Sequence, residues 1–143
     1  MPKFQFRKIV DIERDKIFQI STDYENFTKV LPDHFKELKI IEKKENITTI
    51  QEKIEFLGRT VDVLTEHTVE LPDRHIVRML DGQAKGSVFD ERYEIDGNKT
   101  KITINVDFVL GGSLKILGIF AKGKIKQSMN MVMDEFVNYA KSR

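Results

Sequence analysis

The hydrophobic period of this chain changes along its length. Residues 3–12, KFQFRKIVDI, alternate so that Phe4, Phe6 and Val10 share a face, which predicts a strand. Residues 13–32 lose that alternation. Ile17, Phe18 and Ile20 fit one short helix, and Tyr24, Phe27, Val30 and Leu31 fit a second. Asp23 is placed to cap the second helix and Pro32 to stop it. From residue 36 to 110 a period of two returns, in six consecutive segments. They are FKELKIIEKK, NITTIQEKIEFLG, RTVDVLTEHTVEL, RHIVRMLDGQ, GSVFDERYEID and KTKITINVDFVL. Turn-forming residues join them, at Glu45-Asn46, Gly58-Arg59, Pro72-Asp73, Gly82 to Gly86 and Gly97-Asn98. Strands joined so briefly must be antiparallel neighbours, because a parallel return needs a crossover of about a dozen residues.

Beyond residue 111 a glycine-containing passage leads into a final helix. Its apolar stripe is Ile125, Met129, Val132, Met133, Phe136, Val137 and Ala140. The expected architecture is therefore α+β, a curved antiparallel sheet of seven strands with two short helices after the first. The last helix is the element long and amphipathic enough to cover the apolar face of that sheet.

Composition narrows the function classes. The 143 residues are 40% hydrophobic and 33% charged, as expected for one globular domain spanning 1–143. No apolar run is long enough to span a bilayer, and MPKFQFRK lacks the apolar core of a signal peptide, so a cytoplasmic protein is expected. With no cysteine, disulfides, thiol catalysis and thiolate metal sites are excluded. The net charge of +1 is uneven. Residues 111–143 carry six basic and two acidic side chains, a surplus of four, which leaves the rest acidic by three. That asymmetry is too small for a nucleic-acid footprint, and no nucleic-acid partner is expected.

One stretch, GIFAKGKI at 118–125, has the glycine spacing of a phosphate-binding loop. Its context argues against one. Ile125 stands where a Ser or Thr should reach magnesium, and the preceding strand belongs to an antiparallel meander. The lysine-rich and apolar composition of 113–126 instead suits a cavity rim or a transient contact with an anionic membrane surface. Ile116, Leu117 and Phe120 are the candidate gate residues, with Gly111, Gly112, Gly118 and Gly123 as hinges. Simple helix packing is the plainer alternative.

Register reasoning locates the candidate chemistry. With Gly97-Asn98 as the turn, Asp96 faces Lys99, Tyr93 faces Ile102, Glu91 faces Ile104 and Phe89 faces Val106. Glu91 and Tyr93 then point to the buried face. Continuing outward places Val77 beside Glu91, His75 beside Tyr93 and His67 beside Val77, with His67 on the face of Val61 and Val63. Glu52, on the face of Ile50, Ile54 and Phe56, is a further member. A carboxyl in an apolar pocket has a raised pKa, and a nearby imidazole can exchange its proton. His34, His67 and His75 lack metal-ligand spacing, and neither HExxH nor GxSxG occurs, so neither a metal nor any other cofactor is expected.

This layout, with Asp23, Tyr24, Phe27, Leu31 and Pro32 in STDYENFTKVLPDHFKELKIIEK, resembles the START-like superfamily. That group includes polyketide cyclases, coenzyme-Q-binding START proteins and birch-pollen-allergen-like proteins. The resemblance covers essentially the whole chain and implies a helix-grip fold, a curved sheet around a long C-terminal helix with a cavity between. It implies a pocket and not a reaction.

The leading expectation is binding or transport of a small apolar ligand such as a lipid, isoprenoid, quinone or polyketide-like molecule. On the sheet, the expected contacts are Phe56, Val61, Val63, His67, His75, Val77, Met79, Phe89, Glu91, Tyr93, Ile104 and Val106. On the helix they are Met129, Val132, Met133 and Phe136. The alternative is a cyclase or dehydratase using Glu91 with His67 or His75 as acid and base, and a third is an interaction module without a ligand. The balance favours a carrier over an enzyme.

Overall fold

The computed structural model describes residues 3–56, 58–109 and 118–142. Seven strands pair antiparallel: β1 (Lys3–Val10), β2 (Phe35–Lys44), β3 (Ile47–Phe56), β4 (Arg59–Glu70), β5 (Arg74–Met79), β6 (Val88–Asp96) and β7 (Lys99–Asp107). Their spatial order is β1-β7-β6-β5-β4-β3-β2. The meander from β2 to β7 pairs each strand with its sequence neighbour, as the short turns require. β1 adds to the far edge against β7, with Phe4 opposite Val106 and Phe6 opposite Ile104.

The chain between β1 and β2 must therefore cross from one edge of the sheet to the other. It does so through α1 (Arg14–Ser21), a 3-10 turn (Tyr24–Asn26) and α2 (Phe27–Val30). Asp23 precedes that turn without capping it. Its carboxylate instead accepts a hydrogen bond from the Asn26 amide at 2.6 Å. α2 ends at Val30, just before Leu31-Pro32, because the residue preceding proline disfavours helix.

The sheet alternates as its sequence does. In β1 Phe4, Phe6 and Val10 are buried, and in β7 Ile102, Ile104 and Val106 are. The β6–β7 register runs from Asp96 opposite Lys99 to Phe89 opposite Val106, as the turn predicts. Gly97 holds φ 63° at the first turn position, a conformation that costs glycine least. On the opposite edge, β2 shifts register between Phe35 and Glu37 and between Ile40 and Glu42. Such irregularities bend the edge strand and add to the curl of the sheet.

α3 (Gly118–Lys141) lies across the sheet. It buries Ile125, Met133, Phe136, Val137 and Ala140, while Met131 faces outward. The helix begins earlier than its amphipathic stripe suggested. Gly118 and Gly123 both fall inside it, so this stretch is helix rather than a phosphate loop, and these glycines are not loop hinges. Gly111, Gly112, Ile116 and Leu117 lie outside the described residues. The α3 backbone approaches α1, α2 and β1, at the rim of the sheet. Lys8 of β1 helps hold it there, reaching Asp134 at 2.8 Å and Asn130 at 2.6 Å. Between α3 and the middle of the sheet, side chains enclose a cavity.

Candidate functional site

The cavity has a volume of about 160 Å³. Its apolar lining comes from α2 and β2 (Phe27, Phe35), from the sheet (Ile54, Val77, Met79, Phe89, Ile104) and from α3 (Ile125, Met129, Val132, Met133, Phe136). Phe27 anchors one wall, its ring 4.7 Å from that of Phe35 and 5.3 Å from that of Phe136. Polar side chains also face inward: Ser21, His34, Glu52, Thr65, His67, His75, Glu91, Tyr93 and Ser128. Among the described residues no Lys or Arg lines it.

Six of these polar groups form one hydrogen-bonded chain across four adjacent strands. Glu52 Oε2 accepts from the Thr65 hydroxyl, and Thr65 Oγ1 lies 3.0 Å from His67 Nε2. His67 Nδ1 meets His75 Nε2 at 3.0 Å, with the two ring planes within 17°. His75 Nδ1 meets Glu91 Oε1 at 2.9 Å, and the Tyr93 hydroxyl donates to that same oxygen at 2.9 Å. Pairing puts these groups side by side: Ile50 opposes Thr65, His67 opposes Val77 and His75 opposes Glu91. All of them share one pleat face, so they meet on the inner surface.

Burial gives the chain its electrical character. Glu52, Thr65, His67, His75 and Tyr93 are all buried, and Glu91 nearly so. Loss of solvent pushes the His67 pKa below its ordinary value, against the opposing pull of the Glu52 carboxylate. Burial, reinforced by the Glu91 charge, holds the Tyr93 phenol well above its usual range. The same two causes raise Tyr24, whose ring packs 4.5 Å from His67 and 5.8 Å from His75. Both phenols therefore stay protonated, and Tyr93 donates to Glu91. Among the described residues, no group of three or more His, Asp or Glu is arranged to hold a metal ion.

Two buried hydroxyls, Ser21 Oγ and Tyr24 OH, have no hydrogen-bond partner within the described structure. Ser21 is at the end of α1, lines the cavity and lies beside Tyr93. Buried hydroxyls are seldom left so. An outer cleft of about 490 Å³ adjoins the cavity and shares His34 and Ser128 with it. These two residues lie between the cavity and that cleft, which is bounded by the segment following α2, the β3–β4 turn and α3.

Of the expected contact residues, His67, His75, Val77, Met79, Phe89, Glu91, Tyr93, Ile104, Met129, Val132, Met133 and Phe136 line this cavity. Val61 and Val63 instead line a separate recess beside the Gly82 turn, and Val106 packs in the core. The side chains of Phe56 and Phe120 lie outside the described residues. One register expectation is corrected by two residues: His75 faces Glu91, not Tyr93, and Val77 faces Phe89, not Glu91. The eight-residue connection 80–87 between β5 and β6 did not fix their offset, but an even slip preserves the face. Sequence reasoning missed Ser21, Phe27, His34, Phe35, Ile54, Thr65, Ile125 and Ser128 as cavity residues. A signal existed for two of them. Thr65 is two positions before His67 on its strand face, and Ser128 sits one helical turn from Ile125 and Val132.

No protein-family model and no characterised sequence matches the chain. Solved structures match its backbone. The Zhui aromatase/cyclase from Streptomyces superimposes with a TM-score of 0.84 at 11% identity, over 99% of this chain and 94% of that one. Ara h 8.0201 gives a TM-score of 0.79 at 16% identity, over 99% of both chains. Norcoclaurine synthase from Thalictrum flavum, in complex with dopamine and hydroxybenzaldehyde, gives 0.76 at 12% identity, over 99% of this chain and 87% of that one.

Proposed function

We propose that this chain, whose fold is the helix-grip fold of START-like proteins, binds one small, uncharged and mainly apolar molecule between its sheet and α3. The observation that carries this reading is an apolar cavity with a buried polar chain along one side. Phe27, Met133 and Phe136 would enclose the apolar body, and Glu91, His75 and Ser21 would orient its polar end. An anionic ligand is disfavoured, since two glutamates face the cavity and no described cation does. The volume narrows the class further. An apolar cavity of about 150 Å³ takes a molecule the size of benzene, so about 160 Å³ favours a single ring or a short isoprenoid over a long acyl chain. Burying roughly 200 Å² of such a ligand contributes about 5 kcal/mol before the costs of association. The neighbour that holds dopamine and hydroxybenzaldehyde supports ligands of this size in this fold.

The test is native mass spectrometry of the purified protein with organic extraction, followed by NMR titration with p-cresol, cyclohexanone and palmitate. The expected result is binding of the ring compounds, with shifts at Phe27, Met133 and Phe136, and none of palmitate. If no extracted molecule and neither ring compound binds, the pocket reading fails. A second reading of the same site is acid–base catalysis of the cyclase or dehydratase kind, favoured by the His75–Glu91 contact facing the cavity. Glu91→Gln would then abolish turnover while leaving ligand binding largely intact.

A further inference from the structure

The polar chain ends in the cavity on an atom whose hydrogen-bonding role follows from a count. Its four links, Glu52–Thr65, Thr65–His67, His67–His75 and His75–Glu91, need one hydrogen each. Thr65 supplies one and two neutral imidazoles supply one apiece, so a fourth proton completes the chain. That proton rests on Glu52, on either imidazole or on Glu91 Oε1, the groups that make the links. Glu91 Oε2 carries no hydrogen in any of these placements. The His75 and Tyr93 contacts both fall on Oε1, and among the described residues no bond is made to Oε2. Oε2 is therefore an acceptor without a donor.

Glu52 ends the other side of the chain, but three strand spacings, about 14 Å, separate the two carboxylates. Glu91 is the more open of them, its side chain 16% exposed against 5% for Glu52. On the inner face it is bordered by Ile104, which it opposes, and by Phe89 and Val77, all lining the cavity. Hydrogens that a ligand could accept are scarce here. Those of Thr65, His67, His75 and Tyr93 are used within the chain, and the Ser21 hydroxyl is directed at Tyr93. A carbonyl or ether at Oε2 would set acceptor against acceptor. An ammonium brings three donors, two of which would meet the apolar wall unpaired, whereas a hydroxyl brings one. The wall itself is aromatic at Phe27, Phe35, Phe89 and Phe136, and aromatic pairs gain more than their buried area alone provides.

We propose that the ligand is a monocyclic phenol whose hydroxyl donates a hydrogen bond to Glu91 Oε2. The inference rests on the pocket reading above and gives it a ligand class. The ring lies over Val77, Phe89 and Ile104 with its hydroxyl turned to β6, and Glu52 is out of its reach. The phenol is bound with its proton. Two phenols of the chain show the cause: burial and the Glu91 charge hold both Tyr24 and Tyr93 above their ordinary range. A ligand that donates to Oε2 meets the same charge.

The test compares p-cresol with anisole, its isomer whose oxygen carries a methyl group in place of the hydrogen, and with cyclohexanone, which only accepts. Calorimetric titration should show p-cresol binding at least about 10-fold more tightly than either, as one hydrogen bond to a charged acceptor provides. In Glu91→Gln the amide nitrogen takes the place of Oε2, because His75 and Tyr93 still donate to the oxygen. The ratio of p-cresol to cyclohexanone affinity should then fall at least about 10-fold. In wild type, the ¹³C shift of the hydroxyl-bearing carbon should report neutral p-cresol at a pH where the free compound is half ionised. If p-cresol binds no more tightly than anisole or cyclohexanone, the site reads no donor and the pocket alone stands. If none of the three binds, the pocket reading fails with it. If benzylamine or cyclohexanol binds as tightly as p-cresol, the donor is not a phenol's. An unchanged ratio in Glu91→Gln, or p-cresol bound as its anion, would place the contact away from Glu91 Oε2.

Discussion

At the scale of single residues, the site depends on how strongly each buried group resists taking charge. His67 is 4% exposed, and burial lowers its pKa from the ordinary value of 6.5. Below that value the unfolded chain takes up a proton that folded His67 does not. Its contribution to stability is thus full above about pH 6.5 and declines as the pH falls toward the lowered folded value. The slope for one displaced proton is at most about 1.4 kcal/mol per pH unit. Urea midpoints of wild type and His67→Gln between pH 8 and pH 5 should therefore converge below pH 6.5. Parallel curves would show that His67 titrates normally in the fold. His34, whose pKa burial also lowers, contributes in the same direction in both proteins.

At the scale of elements, α3 carries the conflict between propensity and packing. Gly123 lies inside the helix, where glycine costs about 1 kcal/mol relative to alanine. No described atom lies within 4 Å of the Cβ that alanine would add. Gly123→Ala should therefore raise stability by about 1 kcal/mol, read as a rise of about 3 °C in Tm. A loss of stability would mean that a non-helical conformation at this glycine matters. The strand elements show how far sequence reaches. A two-residue turn fixed the β6–β7 register, and Tyr93, Glu91 and Phe89 stand where alternation put them. The longer β5–β6 connection left a two-residue ambiguity, and only pairing brought His75 to Glu91. Glu52 and Thr65 joined the site because β3 pairs with β4, which places the Thr65 hydroxyl between Glu52 and His67.

At the scale of the whole molecule, a ligand has to enter between the sheet and α3. His34 and Ser128 line both the cavity and the outer cleft, which makes the boundary between them the entrance to test. Ser128→Trp should slow ligand entry at least about 10-fold in stopped-flow binding of p-cresol, with a smaller effect on affinity, since access and contact are separate properties. Unchanged association rates would place the entrance elsewhere on the shell. The candidate gate at Ile116, Leu117 and Phe120 would then be the next position to alter.

The sequence by itself determined the architecture, because its information is local and periodic. Alternation assigned the strands, turn residues made them antiparallel neighbours, and a helical stripe identified the cover. The same periodicity assigned His67, His75, Glu91 and Tyr93 to the inner face. Only the tertiary structure decided that these groups touch in series, that Ser21 and Thr65 stand among them, and that the cavity is small. Those facts depend on strand offsets of one or two residues, on where α1 ends against the sheet, and on how closely α3 packs. Each is settled by side-chain packing between segments far apart in the chain, which no local pattern encodes.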